Sequence, residues 1–221
     1  MPKKKQPPAL NQLVLERLMH YYHLVAEQIQ EESHGWVSSA QIARLLDMDD
    51  TLVRKDLASI GVRGRPRVGF SAPDLMEAIR ETLGFNEAYK AVIVGAGRLG
   101  GAIASYGGFS KYGLDVVALF DADPGRVGSI LGGVAVRPLE ELESVVSEHR
   151  VHLAVLTVPA EAAQPLANRL VEAGIRAIWN FAPTSLVLPG NVFVRHEHIS
   201  VGLAELAYFL KRNRLTIASS G

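Results

Sequence analysis

A glycine-rich turn between an apolar strand and a helical stretch constrains the fold of this chain more than any other feature. The turn reads Gly95-Ala96-Gly97-Arg98-Leu99-Gly100, and Asp121 ends the next apolar run about 20 residues further on. In this pattern the glycines permit a tight turn and the close approach of a diphosphate, and the acid accepts hydrogen bonds from a ribose 2′-hydroxyl. We therefore predict that these residues bind NAD(H) in preference to NADP(H), although Arg126 lies nearby. A glycine turn without a ligand is the alternative.

Short apolar runs alternate with helical stretches from residue 90 onward. The pattern predicts strands at 91–94, 116–120, 134–136, 153–158, 177–180 and 191–194, and helices at 99–105, 139–148 and 161–173. Because parallel strands need crossover connections, this alternation predicts an α/β fold with a doubly wound parallel sheet of the Rossmann type. A last amphipathic helix is predicted at 200–214.

Two loops follow later strands of this predicted sheet, Thr157-Val158-Pro159 and Asn180-Phe181-Ala182-Pro183. Ligands of doubly wound sheets bind outside the carboxyl ends of the strands. Both loops are therefore candidate parts of the cofactor site, although each, taken singly, is more often an ordinary turn.

The first 86 residues predict a small helical domain. Apolar residues at helical spacing predict a first helix over 10–29, and Ser38 can cap a second helix. A polar turn at 47–50 leads to a third helix, which stops at Gly61. Two short helices joined by four polar residues have the spacing of a helix-turn-helix.

The third predicted helix has one apolar and one basic face. On a helical wheel, Val53, Leu57 and Ile60 form the inward stripe. The outward face is small, polar and basic, as a helix in the DNA major groove must be. A glycine- and proline-containing hairpin at 61–70, the wing, follows this helix. The cap residue Ser38, the outward face of the helix and the wing supply the candidate DNA contacts, which are Ser38, Thr51, Arg54, Lys55, Ser59, Arg63, Arg65 and Arg67. A solvated charged face is the alternative.

Composition narrows the class of protein further. Basic and acidic residues number 23 each, so the net charge gives no nucleic-acid signature and any DNA site must be local. The absence of cysteine excludes disulfides, iron–sulfur clusters and thiol redox chemistry. No signal sequence and no apolar run of membrane-spanning length is visible. We expect a cytoplasmic protein without a membrane partner.

The sequence predicts neither a metal site nor a catalytic site. His196 and His198 stand two residues apart, but no third ligand is evident. No acid pair or nucleophile–base pair is recognisable. Only about 25 residues follow the last predicted strand, too few for the catalytic domain that a dehydrogenase needs. We expect a protein that is not an enzyme.

Several motifs together resemble the Rex family of redox-sensing transcriptional repressors. They are Val53-Arg54-Lys55-Asp56-Leu57, the wing, the glycine turn, Tyr106, Phe120-Asp121-Ala122-Asp123-Pro124 and Asn180-Phe181-Ala182-Pro183, collinear from Leu10 to Arg214. The resemblance implies a homodimer that binds operator DNA with inverted half-sites and binds NADH or NAD⁺, with NADH releasing the DNA. It also implies a C-terminal helix swapped between protomers. We predict a winged-helix domain at 1–86, a Rossmann domain at 87–198 and the swapped helix with its tail at 199–221.

The resemblance also assigns individual roles. It assigns Arg54 and Lys55 to DNA, and Tyr106 to the interface that senses the state of the nicotinamide. His198 and Ile199 stand where many members carry an acidic residue and an aromatic residue that reaches the partner's nicotinamide pocket. We therefore count Tyr106, His198 and Ile199 as the candidate sensing residues.

Two other functions stay open from the sequence. One is a regulator that binds a nucleotide or CoA without reading its redox state, since glycine-rich turns serve several phosphates. The other is a small NAD-dependent oxidoreductase with an N-terminal accessory domain.

Overall fold

The structure, a computed structural model, describes residues 10–29 and 35–218, without the side chains of residues 28, 29, 199 and 213–218. The chain divides into two units, the first ending at Glu87 and the second beginning at Ala88. Each unit has its own apolar core.

Helices dominate the first unit. They are α1 (Gln12–Leu24), α2 (Ser39–Leu45), α3 (Asp50–Ser59) and α4 (Ala72–Leu83). The side chains of Ser38 and Asp49 accept hydrogen bonds from backbone N–H groups in the first turns of α2 and α3, at 3.0 Å each. The predicted first helix ends earlier than expected as an α-helix, because Val25–Ile29 continues it as a π-helix.

A short antiparallel pair closes this unit. Strand β1 (Trp36–Val37) pairs with β2 (Phe70–Ser71), and the wing turn lies between α3 and β2. The core is built from residues at helical spacing, among them Leu18, Ile42, Val53, Leu57, Leu75 and Ile79, all fully buried. The predicted inward residues Val53 and Leu57 therefore face the core.

The second unit is built on a seven-stranded sheet. Its strands are β3 (Tyr89–Val94), β4 (Leu114–Asp121), β5 (Ile130–Leu131), β6 (Val134–Pro138), β7 (Leu153–Leu156), β8 (Ala177–Asn180) and β9 (Phe193–His196). Their spatial order is β5-β6-β4-β3-β7-β8-β9, and every pairing except β5–β6 is parallel. From β6 to β9 this is the strand order of a Rossmann fold, whose switch point lies between β3 and β7.

Helices cover both faces of the sheet. On one face α5 (Arg98–Ala104) contributes Ile103 to a cluster with Ile93 and Val155. On the other face α6 (Leu142–His149) and α7 (Ala160–Glu172) pack on strand residues such as Phe120. The predicted doubly wound α/β fold with an N-terminal winged helix-turn-helix is therefore confirmed.

Of the six predicted strands, only β8 has the predicted bounds. Strands β3, β4 and β6 extend one or two residues beyond their predicted ends, β7 is shorter, β9 is shifted, and β5 is an additional strand. Strand β9 begins at Phe193 rather than at 191, because the Val192 N–H closes a turn onto the Pro189 carbonyl at 3.0 Å. Strand β7 ends at Leu156 rather than at 158, where its neighbour β3 gives way to the glycine turn. Strand β5 was not predicted, although Gly132-Gly133 between β5 and β6, both with positive φ, is a two-residue hairpin turn.

The last helix, α8 (Ile199–Ala218), presents apolar side chains to solvent. Its large apolar residues Val201, Leu203, Leu206, Tyr208, Phe209 and Leu210 are 54% to 68% exposed. The apolar face predicted from Leu203, Leu206 and Leu210 is thus exposed in the described part of the chain. The side chain of Ile199 lies outside the described residues.

Candidate functional site

Two glycines of the turn lie where no larger residue fits. Gly95 has φ +105°, and a Cβ atom there would come 2.5 Å from the carbonyl oxygen of Thr157. A Cβ atom at Gly100 would come 1.9 Å from the carbonyl oxygen of Gly95. The lack of space at both positions shows that α5 packs tightly against the end of β3, as a Rossmann turn requires. Gly97, Arg98 and Leu99 lie between them, where β3 leads into α5.

Asp121 closes the glycine turn from the neighbouring strand. Its Oδ2 accepts the Ala96 N–H at 2.7 Å and Nη1 of Arg126 at 3.0 Å, and its Oδ1 accepts the Asp123 N–H at 2.9 Å. Partial burial by itself would raise the pKa of Asp121. The N–H donors of Asp123 and Ala96 and the Arg126 guanidinium outweigh it and hold the pKa below its ordinary value. The carboxylate is thus held ionised beside the turn.

A cavity of about 700 Å³ opens at the switch point, beside this turn. Gly95, Gly97 and Asp121 line it, and so does the predicted loop Thr157-Val158-Pro159. Thr157 joins the two strands because its Oγ1 donates to the Gly95 carbonyl at 2.8 Å. The volume lies in the range of small-molecule and cofactor sites.

The second predicted loop, Asn180-Phe181-Ala182-Pro183, lies one strand further along and does not line the described part of this cavity. Asn180 is fully buried and shapes its own loop. Its Nδ2 donates to the Thr184 carbonyl at 2.8 Å, and its Oδ1 accepts the Ala182 N–H at 3.0 Å. The structure therefore gives Asn180 a loop-building role.

A row of four aromatic rings runs beside this loop. Tyr106, Phe109, Trp179 and Phe181 follow one another with ring centroids 4.9, 5.9 and 4.9 Å apart. Tyr106 stands at the exposed end of the row, with 56% of its surface accessible. The sequence prediction included Tyr106 and Phe181 and missed Phe109 and Trp179, whose only signal was their nearness in sequence to those two residues.

The predicted sensing residue His198 lies beyond β9. Its ring stacks on that of His196 at 6.2 Å, and no hydrogen bond or ring contact joins it to Tyr106 among the described residues. The neighbouring Glu197 accepts a hydrogen bond from Trp179 Nε1 at 3.0 Å. Within the described ranges no group of three metal-ligating side chains occurs.

In the first unit, α3 presents the predicted basic face. Thr51, Arg54, Lys55 and Ser59 are exposed, and Arg54 pairs with Asp50 at 2.7 Å across one helical turn. Ser38 also serves as the cap of α2, as described above. A groove of about 590 Å³ between α3 and the wing is lined by Ser38, Arg54, Arg63, Arg65 and Arg67.

The wing is a tight turn built on backbone hydrogen bonds. The Arg65 N–H donates to the Gly69 carbonyl at 2.7 Å, and the Gly69 N–H donates back at 3.0 Å. The Arg65 guanidinium lies 4.9 Å over the Trp36 ring, and Arg67 takes a positive φ of 63° at the turn. The wing arginines are thus brought to one side of the groove.

A buried ionic cluster anchors α3 to α1. Asp56, 4% exposed, accepts hydrogen bonds from Arg17 at 2.6 and 2.8 Å and from the Tyr21 hydroxyl at 2.9 Å. Burial, followed by the bond to Asp56, raises the pKa of Tyr21 above its ordinary value. The sequence analysis named Asp56 only within the motif Val53-Arg54-Lys55-Asp56-Leu57 and missed this anchor.

Comparisons with known proteins extend over almost the whole chain. Residues 86–184 match the family model of the CoA binding domain, and residues 11–58 match the model Put_DNA-bind_N, for the N-terminus of DNA-binding proteins. The redox-sensing transcriptional repressor Rex of Treponema denticola is 38% identical over 214 residues, which cover 97% of this chain and 100% of that protein.

Two solved structures are also similar throughout. The crystal structure of RSP in complex with β-NAD⁺ and operator DNA is 30% identical with a TM-score of 0.87, covering 96% of this chain and 98% of that one. RSP in complex with β-NADH is 30% identical with a TM-score of 0.85, covering 95% and 98%.

A winged helix-turn-helix followed by a Rossmann-type sheet with an open switch-point cavity defines a two-domain transcription regulator. The similarity over nearly the full length narrows this class to one family. The chain belongs to the Rex family of redox-sensing transcriptional repressors. The predicted resemblance is confirmed, and the family makes the chain a regulator rather than an enzyme. Among the described residues no helix is both long and apolar enough to cross a membrane.

Proposed function

We propose that this chain is a DNA-binding repressor that senses the ratio of NADH to NAD⁺, and that NADH binding to its Rossmann domain releases operator DNA. The observation that carries the proposal is the cavity beside the glycine turn and Asp121, in the same chain as a winged helix-turn-helix. The similar protein RSP, known in complex with β-NAD⁺ and operator DNA and with β-NADH, supports it.

The proposed cofactor site is the switch-point cavity. Gly95, Ala96, Gly97, Arg98, Leu99 and Gly100 form its turn toward the diphosphate, Asp121 accepts the ribose hydroxyl, and Thr157, Val158 and Pro159 form the facing wall. The loop Asn180-Phe181-Ala182-Pro183 and the aromatic row border the nicotinamide side. The lowered pKa of Asp121 supports its role, because an ionised carboxylate accepts hydroxyl hydrogen bonds.

The proposed DNA site is the outward face of α3 with the wing. Thr51, Arg54, Lys55 and Ser59 would enter the major groove, while Ser38 and the wing arginines Arg63, Arg65 and Arg67 would contact phosphate or the minor groove. Two observations support the assignment: these α3 and wing side chains are exposed, and Ser38, Arg54 and the three wing arginines line one groove.

The proposed assembly is a homodimer with α8 swapped against the partner. Six large apolar side chains of α8 that are more than half exposed support it, since such a surface is stable only when covered. A twofold dimer reads an operator with inverted half-sites. We retain the domain limits 1–86, 87–198 and 199–221, with Tyr106, His198 and Ile199 at the sensing interface. We assign the repressor to the cytoplasm, where DNA and the nicotinamide pool meet.

Release of DNA by NADH requires two conformations of the dimer, one that binds DNA and one that does not, and NADH must bind them with different affinities. A ligand shifts an equilibrium only by its differential affinity, and DNA must then weaken NADH binding by the same factor. The proposed response needs only these coupled binding equilibria and no chemical reaction catalysed by the chain.

The first experiment titrates the purified protein with NADH, following Trp179 emission, and measures NAD⁺ and NADPH by competition. We expect NADH to bind at least about tenfold more tightly than NAD⁺ and to weaken binding to a duplex operator obtained by in vitro selection by about tenfold. Binding to the duplex should fall steeply with salt. NADH binding that leaves DNA affinity unchanged would refute the proposal.

A single variant separates the two sites. Arg54→Ala should abolish specific DNA binding because Arg54 lies on the outward face of α3, while NADH affinity stays at the wild-type value. Arg137→Ala, which removes an ion-paired arginine of the Rossmann domain instead, is the matched control and should leave DNA binding intact.

A second candidate function follows from the family match of residues 86–184 to the CoA binding domain. The same cavity would then hold CoA or another nucleotide without reading its redox state. Competition of CoA against NADH distinguishes the two functions, because a CoA sensor would lose NADH to CoA at low concentration.

A further inference from the structure

The carboxylate of Asp121 has little hydrogen-bonding capacity left for a ligand. A carboxylate offers about two lone-pair sites on each oxygen. Oδ2 already accepts both the Ala96 N–H and Nη1 of Arg126, at 2.7 and 3.0 Å, and Oδ1 accepts the Asp123 N–H at 2.9 Å. Oδ1 keeps one free site, so a ribose whose two hydroxyls engage both carboxylate oxygens must displace one of the donors from Oδ2.

Arg126 is the donor that can move. The Ala96 N–H is fixed in the glycine turn, whereas the Arg126 side chain is 47% exposed and reaches Asp121 and Asp123 at 3.0 and 3.4 Å. The side chain of Asp121 is only 11% exposed, but Arg126 is open to solvent and to the exposed Asp123, so water and Asp123 can replace Asp121 as its partner. The displaced guanidinium would stay at the cavity, because Arg126 lines it beside Asp121.

The guanidinium also lies where a phosphate on the adenosine side would be held. A Cβ atom at Gly97 would be 3.6 Å from Nη1 of Arg126, so the guanidinium lies against the turn residue that admits the diphosphate. Its planar donor fork suits phosphate oxygens, and an arginine near the ribose acid is the group that accommodates a 2′-phosphate in such folds. Asp123 also faces Arg126, so part of the charge stays compensated after displacement.

We propose that Arg126 is a specificity-determining residue, which leaves Asp121 when a nucleotide binds and holds the 2′-phosphate of NADPH. The site then discriminates against NADPH less strongly than a site with Asp121 and no arginine would. This inference rests on the proposed function, because it concerns the same cofactor site.

The test compares dissociation constants of NADH and NADPH for the full chain and for Arg126→Gln, by competition with Trp179 emission as the readout. We expect Arg126→Gln to raise the dissociation constant of NADPH about tenfold, because a charge-assisted hydrogen bond is lost. The dissociation constant of NADH should change by less than about threefold. Arg137→Gln is the control, because Arg137 is a half-exposed arginine paired with Glu141 at 3.1 Å outside the cavity lining. It should leave both constants unchanged.

Several outcomes overturn the inference. Equal weakening of both nucleotides would place Arg126 on the shared diphosphate, and unchanged constants would remove it from the nucleotide site. Failure of the wild-type chain to bind NADPH while it binds NADH would also overturn it. These three outcomes leave the proposed function intact, whereas failure to bind NADH at all would refute both.

Discussion

Replacing Gly100 with Ala tests whether the close contact between α5 and the glycine turn holds the candidate cofactor site together. The new Cβ atom would be 1.9 Å from the Gly95 carbonyl oxygen and 2.9 Å from Thr157 Oγ1. Nonbonded heavy atoms rest about 3.5 Å apart, so α5 must retreat from the turn by more than about 1 Å. The obstacle is backbone and cannot swing aside.

The magnitude follows from two opposing effects. Overpacking a dense site costs about 3 kcal/mol at the upper end, which a backbone obstacle justifies. Alanine in a helix gains about 1 kcal/mol over glycine. We therefore expect Gly100→Ala to lower the free energy of unfolding by about 2 kcal/mol and, by displacing the turn, to weaken NADH about tenfold or more.

The neighbouring glycine is a matched control. A Cβ atom at Gly101 would meet only the tip of the Leu131 side chain, at 3.3 Å, which can rotate. Gly101→Ala should therefore be neutral or stabilising, by up to about 1 kcal/mol, with unchanged NADH affinity. Urea unfolding in a Trp36→Phe background, followed by Trp179 emission, measures both variants. Equal stability of Gly100→Ala and Gly101→Ala would refute the reasoning.

Two further predictions concern the first unit. Asp56→Ala removes the acceptor of the Arg17 guanidinium and of the Tyr21 hydroxyl. We expect the free energy of unfolding of this unit to fall by about 3–5 kcal/mol, measured by urea unfolding with Trp36 emission in a Trp179→Phe background. A decrease below about 1 kcal/mol would contradict the anchor. Because the pKa of Tyr21 is raised on folding, the unfolded chain releases its phenolic proton first, and stability should fall as the pH rises above about 10. Tyr21→Phe should abolish that decline, and an identical decline in both proteins would exclude Tyr21 as its source.

Local patterns were sufficient for most of the architecture. Helical spacing of apolar residues, the glycine turn with Asp121, and alternating strands and helices led to a winged helix-turn-helix and a doubly wound sheet, and the structure confirms both. Such patterns depend on neighbours in sequence, because helix and strand periods are properties of the local backbone. The errors at β7 and β9 were boundary errors: a turn hydrogen bond delays the start of β9, and β7 ends where its neighbour β3 gives way to the glycine turn.

Contacts between distant residues were not accessible in the same way. Asp56 looked like one acid among basic residues, yet α1 brings Arg17 and Tyr21 onto it from 39 and 35 positions away. Phe109 and Trp179 had no pattern that joined them, and only the packing of β8 beside the segment after α5 brings their rings 5.9 Å apart.

The sequence by itself therefore determined the order of the domains, the type of each fold and the family, because periodicity and motif spacing are written along the chain. The tertiary structure alone decided which groups meet. Asp121 accepts hydrogen bonds from Ala96 and Arg126, and Gly100 has no room for a methyl group while Gly101 does. The apolar side chains of α8 are exposed. These depend on distances between elements far apart in sequence, which are fixed only when the elements pack.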